Sequence, residues 1–117
     1  MKTVMLVEDE MLIAMDLQFT LEEAGYQVEG PFASLDTAMK ADLASVDIAI
    51  LDVQLQAETV FPLADRLAGN KIPFIFHSGH FDKYEAMDRY PHCGLIAKPS
   101  TPNEIIRTIE RRLEPSE

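Results

Sequence analysis

Apolar and β-branched residues recur along this chain in short runs, and a longer stretch with helical spacing follows each one. On that pattern residues 3–7, 27–29, 47–51, 72–77 and 93–97 read as strands. After the first, residues 11–24 carry Leu12, Ala14, Met15, Leu17, Phe19 and Leu21 close to a helical period, and Gly25 supplies the stop. Residues 35–43 open after Ser34, whose hydroxyl suits an N-cap, and residues 60–67 end before Gly69-Asn70. Residues 81–90 predict a fourth helix, closed by Pro91. The last helix starts at Thr101-Pro102-Asn103-Glu104: a capping threonine, proline at the first helical position and an acid in the first turn. Ile105, Ile106, Ile109 and Leu113 then line one face.

Five strands alternating with five helices predict an α/β fold, a five-stranded parallel sheet covered on both faces. Right-handed crossovers leave only a few doubly wound strand orders. In such sheets ligands bind beyond the carboxyl ends of the strands, at the switch point. The residues just after each strand are therefore the ones to inspect for chemistry.

Composition narrows the reading. A chain of 117 residues and 13.1 kDa is expected to form a single domain over residues 1–117, with a core that needs no disulfide or metal staple. The 47% hydrophobic and 26% charged content is that of a soluble globular protein, and no apolar run approaches the roughly 18 residues of a membrane span. Met1-Lys2-Thr3 leads straight into a strand with no signal-peptide pattern, so a cytoplasmic location without membrane insertion is expected. A formal net charge of −10 argues against direct nucleic-acid binding and favours proteins or cations as partners. Cys93, the single cysteine, reads as a buried structural thiol.

The strand ends are chemically distinctive. The first strand runs from VMLV into Glu8, Asp9 and Glu10, and DIAILDVQL brings Asp52 out of the buried third strand. Three carboxylates at neighbouring strand ends cannot all stay ionised without a cation or a shared proton. Mg²⁺, which takes oxygen ligands and often one or two carboxylates, answers that demand. Glu10 fits the acidic first turn of the next helix instead. PFIFHSGH places Ser78 and Gly79 after the fourth strand, where a hydroxyl can donate to a phosphoryl oxygen, although a lone loop serine also makes turn hydrogen bonds. Lys98-Pro99 follows the fifth strand, where a lysine beside three acids reads as their counterion.

An acidic pair, an aspartate, a hydroxyl and Lys-Pro, in that order at successive strand ends, resemble the receiver domain of two-component response regulators over about residues 2–113. That resemblance implies a flavodoxin-like (βα)5 fold with strand order 2-1-3-4-5. It makes Asp52 the phosphoacceptor, with Glu8, Asp9, Asp52 and the Gln54 carbonyl as Mg²⁺ ligands. Ser78 becomes the switch hydroxyl, and Lys98 the residue that contacts the phosphoryl group, with a cis peptide before Pro99. It further implies a sensor histidine kinase or phosphotransfer protein as phosphoryl donor and a downstream protein target, with a homodimer as one form of output. The domain would be no enzyme in the usual sense, but a phosphoacceptor that assists its own phosphorylation and dephosphorylation. The stretch ETVFPLADRLAGNKIPFIF is also similar to stand-alone receivers of alphaproteobacteria.

The chain departs from the family in places. Leu95 stands where most receivers carry an aromatic, three residues before the lysine, and VQLQAE lacks the usual Met-Pro and later Gly. Gln54 and His80 occupy positions that tune phosphate lifetime in the family. Phosphorylation is thus expected with an unusual output. Rival readings are weaker. A haloacid-dehalogenase-type phosphatase would want a second aspartate where Gln54 stands. A flavin binder would want a phosphate-cradling loop where Glu8-Asp9-Glu10 would repel one. A phosphorylation-independent pseudo-receiver acting as a protein-binding module has usually lost one of the residues retained here. His77 and His80 without further ligands do not make a metal site, and Arg107, Arg111 and Arg112 read as a solvated face balancing the acids.

Overall fold

The computed structural model describes residues 1–79 and 83–114. In chain order the elements are β1 (Thr3–Val7), α1 (Met11–Glu23), β2 (Gln27–Phe32), α2 (Leu35–Met39), β3 (Ile48–Leu51), β4 (Gln54–Leu55), β5 (Glu58–Thr59), α3 (Phe61–Gly69), β6 (Phe74–Ser78), α4 (Lys83–Arg89), β7 (Gly94–Ala97) and α5 (Pro102–Leu113). Five strands form one parallel sheet in the order β2-β1-β3-β6-β7. Counted along the sheet strands alone, this is the expected 2-1-3-4-5. No described helix is long and apolar enough to cross a membrane.

Strand side chains alternate between the two faces, and the alternation sorts the core into two layers. Met5, Val7, Ala49, Leu51, Phe74 and Phe76 pack with Leu63, Ala64 and Leu67 of α3 and Ala86 of α4. Val4, Leu6, Ile48, Ile50, Ile75 and Ile96 pack with Leu17 and Leu21 of α1 and Ile105 and Ile109 of α5. The central strands are buried on both sides, which is why they read as unbroken apolar runs. Each such Leu, Ile or Phe contributes about 1.5–3 kcal/mol by leaving water.

Several elements differ from expectation for local reasons. β2 continues to Phe32 through a cis Gly30–Pro31 bond, past the predicted end at residue 29. An edge strand tolerates proline, and Gly30 is required: its φ is +110° and a Cβ would lie 2.7 Å from the Leu6 carbonyl oxygen. α2 stops at Met39 instead of residue 43, because Arg66 reaches across from α3 to its carboxyl end. The guanidinium donates to the carbonyls of Met39 (2.7 Å) and Ala41 (2.9 Å). The segment after Asp52 folds into the small antiparallel β4–β5 hairpin, which the sequence pattern did not suggest. The expected start of the fourth helix, at residue 81, lies outside the described residues.

Candidate functional site

Glu8 and Asp52 each follow the last residue of a strand, and those strands are neighbours in register. Val7 pairs with Leu51, Asp52 N–H donates to the Val7 carbonyl (2.9 Å), and Glu8 N–H donates to Phe32 on the other side (2.9 Å). The two carboxylates therefore emerge side by side, and both are buried. Asp9, one step further out, is half-buried. One carboxylate oxygen from each of Glu8, Asp9 and Asp52 lies within 4.8 Å of the others.

Lys98 arrives from the end of β7. Its Nζ stands 3.0 Å from Glu8 Oε1 and 3.4 Å from Asp52 Oδ2. Glu8 Oε1 makes no hydrogen bond of good geometry, so the ion pair is its compensation for burial. One ammonium facing several carboxylates leaves the cluster short of positive charge. Burial first, and then the Glu8 carboxylate, push the Asp52 pKa up to about 8 against the smaller opposing pull of Lys98. For Lys98 itself burial opposes the charge, but Glu8 and Asp52 outweigh it and raise its pKa. Asp9 behaves differently. Partial burial works against its charge, yet the Gln56 N–H and the neighbouring carboxyl groups hold its pKa below the ordinary value.

That Gln56 contact ties the hairpin to the site. Gln56 donates its backbone N–H to Asp9 Oδ2 at 2.9 Å, with a positive φ of 57° at the tip. Gln54, on β4, is exposed, and its side chain bonds back to the Gln56 carbonyl at 3.4 Å. Ser78 ends β6 and is fully buried, with its hydroxyl donating to the Gly79 carbonyl at 3.3 Å, the local bond of a turn serine. The Lys98–Pro99 bond is cis.

The structure thus brings Glu8, Asp9, Asp52 and Lys98 into one cluster, with Ser78 and Gln54 on adjoining segments. His77 proves to be a buried strand residue bonded to Ser100, and it has no place in the acidic cluster. His80 lies outside the described residues. Arg107, Arg111 and Arg112 are all exposed, and Arg112 also donates to the His92 carbonyl at 2.6 Å. Cys93 is half-buried instead of buried, and burial raises its pKa. Leu95 packs against the core layer of Phe76. Sequence reasoning missed the neighbouring Tyr90, whose ring lies 5.5 Å from those of Phe74 and Phe76. Its hydroxyl donates to the Phe61 carbonyl (3.1 Å) and Asp65 Oδ1 (2.5 Å), joining the end of α4 to α3. A tyrosine before a helix-ending proline was the only available signal.

The comparisons agree with this architecture. The response regulator receiver domain model matches residues 4–110. The transcriptional regulatory protein PdtaR of Mycobacterium tuberculosis is 30% identical over 113 residues, covering 93% of this chain and 55% of its own length. The phyllosphere-induced regulator PhyR of Methylorubrum extorquens is 28% identical over 114 residues, 94% of this chain and 43% of its own. The chain therefore spans about half the length of these curated relatives. Among solved structures, SdrG from Sphingomonas melonis superposes with a TM-score of 0.83 at 31% identity, covering 97% of this chain and 98% of SdrG. The signal receiver domain of a modulated diguanylate cyclase from Desulfovibrio desulfuricans gives 0.80 at 32% identity, covering 95% and 92%. With the family model spanning most of the chain and the acidic cluster lying where the sheet order changes direction, the chain belongs to the response regulator receiver domains.

Proposed function

We propose that Asp52 accepts a phosphoryl group from a histidine kinase or phosphotransfer protein and that the change is passed on through protein contacts. One observation carries this reading: a buried aspartate at a central strand end, crowded by two further carboxylates and touched by a lysine ammonium. The donor set fits a hard divalent cation, being all oxygen and undercompensated by Lys98, with Glu8 Oε1 lacking a hydrogen bond. Glu8, Asp9 and Asp52, with the Gln54 main-chain carbonyl, would hold Mg²⁺, which when bound neutralises charge on the carboxylates and the incoming phosphoryl oxygens.

The chain's own residues supply positioning and charge, which is most of what phosphoryl transfer requires. An Asp52 carboxylate oxygen forms the bond to phosphorus while the P–N bond of the donor phosphohistidine breaks, and the electron pair stays on the departing imidazole nitrogen. Lys98, already within reach of Asp52, offers an ammonium to the transferred oxygens, and Ser78 offers a hydroxyl from the adjoining strand end. Water later hydrolyses the acyl phosphate. The domain is a signalling module that assists its own modification.

Intact-protein mass after incubation with acetyl phosphate tests the reading. The wild type should gain one phosphoryl group only with Mg²⁺ present, and Asp52→Ala should gain none. An unmodified wild type would favour a phosphorylation-independent protein-binding module.

A further inference from the structure

His77 is a buried polar residue for which phosphoryl transfer as described has no use. It is 3% exposed in β6, between Phe76 and Ser78, and is paired in register with Ile96. Alternation turns it to the same face as Ile75, toward α1 and α5. An aliphatic side chain would fill that place without the cost of burying an imidazole. Its Nδ1 is buried and has no hydrogen-bond partner, while Nε2 lies 2.8 Å from Ser100 Oγ. The tautomer with the proton on Nε2 leaves an unpaired acceptor instead of an orphaned N–H, so the imidazole donates to the serine. Burial, reinforced by the Lys98 ammonium and opposed by Glu104, draws the His77 pKa down to about 4 and keeps the ring neutral.

The partner matters because of where it sits. Ser100 is two residues beyond Lys98, on the connection from β7 to α5. That connection is fastened at both ends. Lys98 N–H donates to the Ser78 carbonyl at 2.8 Å, and Thr101 caps α5 by accepting from Glu104 N–H at 3.2 Å. Between these points the His77–Ser100 bond is the described side-chain contact from the connection to the sheet. A lysine ammonium on a four-carbon stem is not aimed by its own side chain, so the base of the stem must be held.

We propose that His77 is a positioning residue for phosphoryl transfer: through Ser100 it fixes the connection from which Lys98 reaches Asp52. This rests on the phosphoacceptor reading above. The bond joins the strand that ends in Ser78 to the connection that carries Lys98, so the two groups expected to meet the phosphoryl oxygens move as one piece.

Four variants test this: Ser100→Ala, His77→Leu, the double variant, and His77→Gln, which restores a donor at the Nε2 position. Ser100→Ala removes the acceptor without emptying the core, so it keeps the test open should His77→Leu not fold. Two readouts are taken. The first is the rate of Asp52 phosphorylation against acetyl phosphate concentration at saturating Mg²⁺. The second, without a phosphoryl donor, is acylation of Lys98 by an isotope-coded reagent relative to Lys2 and Lys40. Ser100→Ala and His77→Leu should each lower the maximal rate about tenfold with the half-saturating concentration unchanged. The double variant should lose no more than either single one, His77→Gln should recover most of the rate, and Lys98 should acylate several times faster in Ser100→Ala. Wild-type rates with unchanged acylation, or losses that multiply in the double variant, would overturn the proposal. A wild type that takes up no phosphoryl group sinks the phosphoacceptor reading instead. Acylation of Lys98 then decides the tether alone: raised in Ser100→Ala it stands, unchanged it falls.

Discussion

Helices α1 and α5 lie against each other on one face of the sheet, and each begins within a few residues of the acidic cluster, yet they begin and end differently. α5 opens with a complete capping box, in which Thr101 accepts from Glu104 N–H and Glu104 accepts from Thr101 N–H, with Pro102 in the first turn. Its last turn carries Arg111 and Arg112, which complement the helix dipole. α1 opens at Glu10 with no side-chain cap, and no basic residue sits in its last turn. Buried residues on α1 are Ala14, Leu17 and Leu21, while Met11, Leu12, Met15 and Phe19 form a second apolar stripe in water, with Leu12 83% exposed and Phe19 65%. The helix that follows the lysine is built for fixity. The helix that follows the acids is held by one face only and spends its apolar residues on solvent.

The largest expected break in that contrast is Lys98→Ala. It leaves Glu8 and Asp52 buried without their cation, so metal-free stability in urea at pH 8 should fall by about 2–3 kcal/mol and phosphoryl uptake by about a hundredfold. Asp52→Asn should act in the opposite direction on stability. The Asp52 pKa is raised from 3.8 to about 8, so the folded chain holds a proton that the unfolded chain gives up. Its contribution is complete below about pH 4 and is lost as pH rises through about 8. The variant should therefore melt higher than wild type at pH 8, by about 1–2 kcal/mol, and little differently at pH 4. Calorimetry at the two pH values without Mg²⁺ checks it.

Smaller effects sharpen the comparison between the helices. Thr101→Ala should cost about 1 kcal/mol and lower Tm by about 3–6 °C, since it removes a cap in use. Glu10→Ser should raise stability by about 0.5 kcal/mol, because Glu10 already has the extended backbone of an N-cap and lacks only a suitable side chain. Phe19→Gln should shift stability by no more than about 0.5 kcal/mol, since most of the ring already lies in water. A large loss there would place Phe19 in the core and end the contrast.

The sheet was legible because burial on both faces leaves runs such as IAIL that no surface strand would carry. The cluster was legible for a related reason: a charged residue directly after such a run has nowhere to go but the carboxyl edge. What stayed hidden depends on contacts between distant segments. Asp9 is held by the backbone of Gln56, 47 residues away, and nothing local marks Gln56 as a hairpin tip, since it is neither Gly nor Asn. The early end of α2 is set by Arg66 from another helix. On α1, Leu12, Met15 and Phe19 share the helical period of Ala14, Leu17 and Leu21 but lie on the side away from them. Apolar spacing alone does not say which of two stripes is covered.

The two margins of the sheet have a consequence for how such a domain lives among copies of itself. On β2, Pro31 offers no N–H to an approaching strand, and on the other side β7 is only four residues long. Neither rim is a template for adding a strand, so crowding or tandem fusion carries little danger of strand exchange or fibre growth. Association is left to helices and loops, whose surfaces can be remodelled residue by residue without touching the backbone ladder.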